Sequence, residues 1–475
     1  MSETTVITEV AASPAVTSLP GESRWTIARR EVRETMALGL PLVGAQVAQI
    51  LLSTTDTIMA GQISPHDVAY VALGGSIWFP LSLFGLGVLF AVSPTVAQLY
   101  GAERYPEIGP KVHQALWLAF MIAGLTFIGV QFCEPLLWWN KVQPELIPGA
   151  IAYLNAICWG LPALYGQVAL RGMSEGVSRP RPLLVISLLS FPLNVLGNWV
   201  FINGHFGMPR MGGVGCGVAS AIVLWTNFAM MVGWVNYYEG YRPFHLFHRW
   251  EWPHAGEIRG LFRLGIPIGI GLFMECTLFA AGALLLGQFG EQVVAAHQSA
   301  LNMASVTFMI PLGVSMAASA RVGQAVGRRD PVGVRRAGFT GIVLSAGIMV
   351  VSGILLATFP GAIAAVYTRD AEVARLMARL LVFAAIFQVF DGLQVSSNSC
   401  LRGLKDTAVP AAITVVAYWG IGFPLAWWLA IHRGLQADGI WYAFMAALFA
   451  AATLLTYRFH LKSRVPRGSD SLQKP

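Results

Sequence analysis

MALGLPLVGAQVAQILLSTTDTIMAG, residues 36–61, decides the fold. It is apolar over more than the roughly 20 residues that a helix needs to cross a bilayer. Its only charge is Asp56. The stretch also returns later in the chain: Leu38-Gly39-Leu40-Pro41 reappears as Leu264-Gly265-Ile266-Pro267, 226 residues on. Gly61-Gln62 matches Gly287-Gln288, Leu86-Gly87-Val88 matches Leu312-Gly313-Val314, and Val96, Gln98 and Gly101 match Val322, Gln324 and Gly327, all at that offset. Leu170-Arg171-Gly172 matches Leu401-Arg402-Gly403 at 231. Such a period marks an internal duplication.

The 475 residues are 55% hydrophobic and 12% charged, with a mean hydropathy of +0.61. Soluble domains average about 25% charged residues. Apolar stretches of spanning length fall at about 36–60, 70–98, 112–134, 150–170, 182–203, 213–238, 261–289, 293–320, 335–358, 376–400, 408–431 and 436–460. The fold class is therefore an all-α polytopic membrane protein with twelve transmembrane helices. Six spans separate the copies, so both copies point the same way. That predicts two parallel-repeat six-helix lobes, residues 31–238 and 261–460, around a central cleft. Residues 1–30 read as a disordered N-terminal tail, 239–260 as a linker and 461–475 as a C-terminal tail. Pro41, Pro80, Pro94, Pro162, Pro192, Pro267, Pro311 and Pro424 sit in or near the spans, where neighbouring helices re-satisfy the backbone groups that they free.

The formal charge of +7 does not point to nucleic acid, because the basic residues lie between spans. With the N-terminus inside, 25 of the 31 basic residues fall on the cytoplasmic side. Six do not: Lys141, Arg210, Arg369, Arg375, Arg379 and Arg433. The bias predicts both termini and the linker in the cytoplasm. No cleavable leader is visible in residues 1–23, so the first span is expected to be retained. The run VPRGS (465–469) resembles a protease site and stays outside the fold reading. Cys133, Cys158, Cys216, Cys276 and Cys400 are scattered, with no CxxC, and read as packing residues. The linker EGYRPFHLFHRWEWPHAGEI (239–258) suits an interfacial amphipathic stretch; a metal set of His245, His248 and His254 is the weaker reading.

Asp56, Glu275 and Asp391 are the chemically informative residues. Each is stranded in apolar sequence, as LSTTDTIMAG, GLFMECTLFA and FQVFDGLQV. A carboxylate at membrane depth is costly unless it is paired, protonated or facing water, so such acids hold a cation, a proton or a charged solute. Structural hydrogen bonding between helices is the bland alternative. Glu275 and Asp391 fall near the middle of spans 7 and 10, in one lobe, and two carboxylates there are expected to share a cation or a proton. Asp56 falls in the outer half of span 1, with no second acid nearby. Thr54, Thr55, Thr57, Asn194 and Asn198 are expected to hydrogen-bond it, which suits proton handling or gripping of a cationic solute. Phe387 lies one turn before Asp391 and offers a ring face to a cation. Gln298 with Asn302, and Asn194 with Asn198, are amide pairs for lining a cavity or joining helices.

There is no Gly-Lys pair anywhere, so a P-loop is excluded, and the spans as drawn hold neither GxGD nor GxSxG. Glycines 212, 213, 215 and 217 follow a span and read as close helix approach. No Lys or Arg lies deep in the spans as drawn.

The run VAQxxxxxxDTxMAG, carried by Val47-Ala48-Gln49 and Asp56 to Gly61, resembles the first span of multidrug and toxic compound extrusion (MATE) transporters of the bacterial NorM type. VSPTVAQLYGA (92–102), GGVGCGVASAIV (212–223), FRLGIPIGIGLFMECTLFA (262–280), VVAAHQSALN (293–302), RVGQAVG (321–327) and FAAIFQVFDGLQVSSNSCLRGLKD (383–406) extend the resemblance over about residues 30–462. It implies a two-lobed secondary active multidrug efflux antiporter of the inner membrane. Na+ or H+ would enter in exchange for organic, mostly cationic, amphiphilic compounds. The family's membrane acids carry over onto Asp56, Glu275 and Asp391, with Na+ at Glu275 and Asp391 if sodium drives the cycle. Some Na+-coupled relatives carry Tyr where this chain has Phe387, which leaves the coupling ion open between Na+ and H+. The resemblance implies no cofactor beyond that ion, no nucleic-acid partner, and a monomer in the lipid bilayer. The alternatives are a lipid-linked saccharide flippase, which calls for a more basic cavity, and a membrane-embedded lipid-modifying enzyme, which calls for a catalytic loop.

Overall fold

The computed structural model describes residues 23–61, 65–139, 142–246 and 250–464. Residues 1–22, Gln62, Lys141, His248, the side chain of Thr57 and the 465–469 run lie outside the described residues. Among those described there is no strand. The first lobe contains α1 (Arg24–Gly61), α2 (Pro65–Leu89), α3 (Val92–Gly101), α4 (Ile108–Gln131), α5 (Glu134–Trp139), α6 (Ile147–Cys158), α7 (Leu161–Gly176), α8 (Arg181–Asn203) and α9 (Gly213–Tyr237). The second contains α10 (Ala255–Leu286), α11 (Glu291–Gly327), α12 (Pro331–Thr358), α13 (Pro360–Tyr367), α14 (Ala371–Gly403), α15 (Ala408–Val415), α16 (Phe423–Trp427) and α17 (Gln436–Lys462). Among the described residues eleven stretches are long and apolar enough to cross a membrane, and α6 with α7, bent by 43°, supply a twelfth if the pair is one span.

Helices overrun the apolar windows that announced them. Residues 24–30, read as tail, belong to α1, and α10 begins at Ala255, inside the segment read as linker. The proline breaks follow backbone chemistry. Pro94 and Pro162 stand in the first turns of α3 and α7, where a missing N–H costs nothing. Pro424 lies between two wide π-helical turns, Val416–Gly422 and Trp428–His432, in the eleventh span. Two helices too short to span, α5 and α13, were not foreseen. They start at residues 134 and 360, again 226 apart.

The duplication is visible in how the lobes meet. α1 packs on α11, and α2 packs on α10, which is the same contact after exchange of the copies. The glycines explain how. A Cβ on Gly87 would stand 2.5 Å from the Cα of Gly269, and one on Gly313 would stand 2.6 Å from the backbone nitrogen of Val43. Residues 87 and 313, and 43 and 269, are matched positions, so each copy places a bare backbone against the other's.

The linker carries a short 3-10 turn (Glu239–Phe244), and its described residues dock on the first lobe. Gln114 Nε2 donates to the carbonyl of Trp252 (3.0 Å), Trp117 Nε1 to that of Glu251 (3.1 Å), and the Tyr241 hydroxyl to Ser174 Oγ (2.9 Å). Among the described residues no group of three or more His, Cys, Asp or Glu is placed to hold a metal. The helix α7 takes in Gly172-Met173-Ser174-Glu175-Gly176, a GxSxG run beyond the drawn span. It is helical throughout, with no strand-to-helix elbow, and Ser174 accepts from Tyr241.

Candidate transport site

Helical spacing turns three faces of the second lobe toward one cavity of about 600 Å³. From α10 come Leu272, Glu275, Cys276 and Phe279, at i, i+3, i+4 and i+7. From α11 come Gln298, Leu301, Asn302, Ser305 and Phe308, and from α14 come Phe387 and Asp391, one turn apart. The first lobe closes the cavity with Phe79 and Leu83 of α2, so the cavity lies between the lobes. Its volume is that of a pocket for a drug-sized molecule. Four phenylalanines and two carboxylates line it, and no Lys or Arg is among its lining residues.

Glu275 and Asp391 are close enough to feel each other's charge. Asp391 is 6% exposed, and its Oδ1 has no hydrogen-bond partner among the described residues. Two carboxylates in so dry a place cannot both stay charged without a cation or a proton between them. Gln298 and Asn302 do line the cavity; Asn302 Oδ1 accepts from the Tyr367 hydroxyl of α13 at 3.0 Å. Phe387 both lines it and packs, with ring centroids 6.0 Å from Phe279 and 5.6 Å from Trp441.

One residue escaped the sequence reading. Tyr418, in the first π-helical segment, is fully buried, its hydroxyl has no partner among the described residues, and it feels the charge of both Glu275 and Asp391. The signal was Tyr418 itself, a polar tip in an otherwise apolar span; an apolar window does not tell which helices that tip will meet.

Asp56 is elsewhere, inside the first lobe. Asn198 Nδ2 donates to Asp56 Oδ1 at 2.6 Å and to Asn194 Oδ1 at 3.2 Å. Ser220 of α9 donates to Asp56 Oδ2 at 3.5 Å, and the Cys216 thiol faces the same carboxylate, so this cysteine is more than packing. Asn194 and Asn198 are buried and join α8 to α1; they do not line the cavity. Thr54 and Thr55 return their hydroxyls to the carbonyls of Ile50 and Leu51, and so do not serve Asp56.

At the end of the bundle that carries Arg24, the linker and Lys462, the lobes are locked. Gln98 Nε2 donates to the carbonyl of Gly403 (2.9 Å), and its matched residue Gln324 donates to that of Gly176 (2.7 Å). Arg321 reaches from α11 to α1, donating to the Glu31 carboxylate (2.7 Å) and carbonyl (2.9 Å), to Glu34 (2.6 Å) and to Thr35 (2.6 Å). Arg171 of α7 donates within its own lobe to Gln46 (2.8 Å) and Glu175 (2.7 Å) and reaches across to Met316 Sδ at 3.4 Å. Arg402, its matched residue, lies over the ring of Phe90 at 5.7 Å. These arginines sit outside the apolar windows, where the helices outrun them; the facing lobe covers Arg321 almost fully, and Arg171 and Arg402 are half-buried.

A family model, MatE, matches residues 41–200 and 267–428. The multidrug resistance protein PmpM of Pseudomonas aeruginosa is 41% identical over 447 residues, covering 93% of this chain and 94% of that protein. Among solved structures, the eukaryotic MATE transporter AtDTX14 has the same fold, with a TM-score of 0.83 at 18% identity over 92% of this chain and 99% of that one. So does an outward-facing multidrug resistance MATE family transporter, with a TM-score of 0.83 at 16% identity over 91% and 96% of the two chains.

Proposed function

The chain belongs to the MatE family of membrane transporters, and from that premise we propose that it is a secondary active multidrug efflux antiporter. Its substrates are organic cations of amphiphilic character, and H+ or Na+ is the ion exchanged for them. The cavity carries this reading: two carboxylates and four phenylalanine rings between the lobes, with no cation among the lining residues. Aromatic faces and carboxylates both favour a lipophilic cation. The same lining disfavours a saccharide-phosphate flippase, which calls for basic groups there.

Coupling follows from competition. Glu275 and Asp391 accept either the ion or the drug's positive charge, and a ligand drives the cycle only through its different affinity for the two conformations. We place the locked end, with both termini and the linker, in the cytoplasm of the cell that carries the protein in its inner membrane. That orientation agrees with the distribution of basic residues. The structure then has its cytoplasmic side shut and its drug cavity above the lock.

The test is efflux of a fluorescent organic cation from proteoliposomes under an imposed H+ or Na+ gradient. One gradient should drive wild-type efflux, and Asp391→Asn and Glu275→Gln should each abolish it with expression and melting behaviour retained. Wild-type rates in both variants would overturn the reading.

A further inference from the structure

A second cavity, of about 420 Å³, opens at the locked end, below the seam and apart from the drug cavity. Lys111 from the start of α4, Arg263 from α10 and Lys405 from the turn after α14 line it, with Glu257, Asp406 and the hydroxyl-bearing Thr95 and Thr407. Both acids are already engaged. Glu257 pairs with Lys111, and Asp406 holds Arg458 through two hydrogen bonds of 2.7 and 3.0 Å. Arg263 and Lys405 have no acidic partner among the described residues, and solvent reaches both. Cations gathered around a cavity without enough acids to match them are the electrostatic footprint of an anion. Leu261, Leu264 and Ala408 give the same cavity an apolar wall.

We propose that this cavity is a binding site for a phosphate-bearing anion, held by Arg263 and Lys405 with Lys111 beside them. Arg263 and Lys405 belong to the second lobe and Lys111 to the first. A bound phosphate therefore bridges the seam and favours the conformation in which this end is shut. The phosphate group is that of an anionic lipid headgroup or of free phosphate. The headgroup is the better fit, because a basic pocket between helices at the end of a membrane bundle, with an apolar wall beside its cations, suits an anionic lipid.

The experiment uses the full chain, purified and passed through mixed phosphatidylglycerol and phosphatidylcholine. Native mass spectrometry counts the lipids retained by wild type, by Arg263→Gln/Lys405→Gln, and by Arg263→Lys/Lys405→Arg. A parallel calorimetric titration uses inorganic phosphate. Loss of two basic contacts should weaken retention of phosphatidylglycerol roughly 10- to 30-fold in the Gln variant. Phosphatidylcholine should be unaffected, and the conservative variant should behave as wild type. Selective loss of phosphatidylglycerol with no phosphate heat assigns the headgroup. Phosphate heat that vanishes in the Gln variant assigns the free anion. If the Gln variant melts as wild type does and matches it in both measurements, the site does not exist. If it melts early, failure of the conservative variant to retain phosphatidylglycerol or to bind phosphate sinks the proposal equally.

Discussion

Replacing Arg321 by Gln should open the locked end. The guanidinium is 9% exposed and donates across the seam to Glu31, Glu34 and Thr35. Removing one partner of a buried ion pair costs roughly 3–5 kcal/mol, because the other charge is left stranded. Here Glu34 is 34% exposed and rehydrates, whereas Glu31 is 4% exposed and does not. Only one acid is then stranded, so the cost falls at or just below the bottom of that range, roughly 2–3 kcal/mol. When the seam parts, Glu31 meets water and the penalty disappears. The cost therefore falls on the shut state alone and shifts the equilibrium roughly 30- to 150-fold toward opening. Spin labels at positions 103 and 462 on a Cys-free background report the separation by electron–electron resonance, under conditions where wild type shows both populations. A distance distribution unchanged from wild type would refute the reasoning. It would mean that the Arg321 cluster survives when this end opens, and that the lobes part along another line.

Three more outcomes follow from the geometry. Tyr418→Phe should weaken the coupling ion's apparent affinity roughly tenfold, the worth of a hydrogen bond to a charged group, with dye affinity unchanged in equilibrium binding. Gly313→Ala should cost roughly 1–3 kcal/mol, because the new methyl meets the backbone of Val43 as well as its Cγ2, and the backbone cannot move aside; a thermal melt of the purified protein checks it. Asp56→Asn should change the pH dependence of cationic dye binding if the carboxylate trades a proton for the dye, and an unchanged pH profile would reduce Asp56 to a brace joining α1 to Asn198.

The spans, the repeat and the three acids were legible because each rests on a one-dimensional signal: apolar length, matched residues at a fixed offset, or charge in an apolar field. Asn198 was read as a partner of Asp56 and is one. What the sequence hid depends on helix rotation and on the neighbouring lobe. Thr54 and Thr55 stand beside Asp56 in sequence, yet their hydroxyls return to their own helix, while Ser220 and Cys216 arrive from 160 residues or more away. Tyr418 comes near Glu275 and Asp391 through helix packing that its own apolar window does not show. Arg321 and Arg402 looked like loop residues because hydropathy drops there. Whether a basic helix end meets water or the opposite lobe is decided by tertiary packing, which a hydropathy window does not see.

The duplication is faithful at the seam and broken at the acids, and that contrast carries a mechanistic consequence. Gly87 and Gly313, Gln98 and Gln324, and Arg171 and Arg402 are all matched pairs; the glycines make equivalent cross-lobe contacts, and each glutamine donates to a carbonyl of the other lobe. Shifted by the same offsets, Glu275 falls on Gln49, Asp391 on Gly160 and Asp56 on Gly282. A parallel repeat relates one lobe to the other and not the inner end to the outer, so the seam gives the two lobes nearly balanced contacts and does not decide which of them binds the ion. That choice must come from something that distinguishes the lobes. The acids are that asymmetry: one lobe holds a pair facing the cavity, and the other holds a single carboxylate tied to Asn198. Placing a second acid by Gln49→Glu tests this. It should leave the seam and the melt near wild type while giving the first lobe an acid that competes for the ion. Efflux driven by a fixed gradient should then fall although drug binding is retained. Undiminished efflux would show that confining the cavity acids to one lobe is not what couples the ion to the drug.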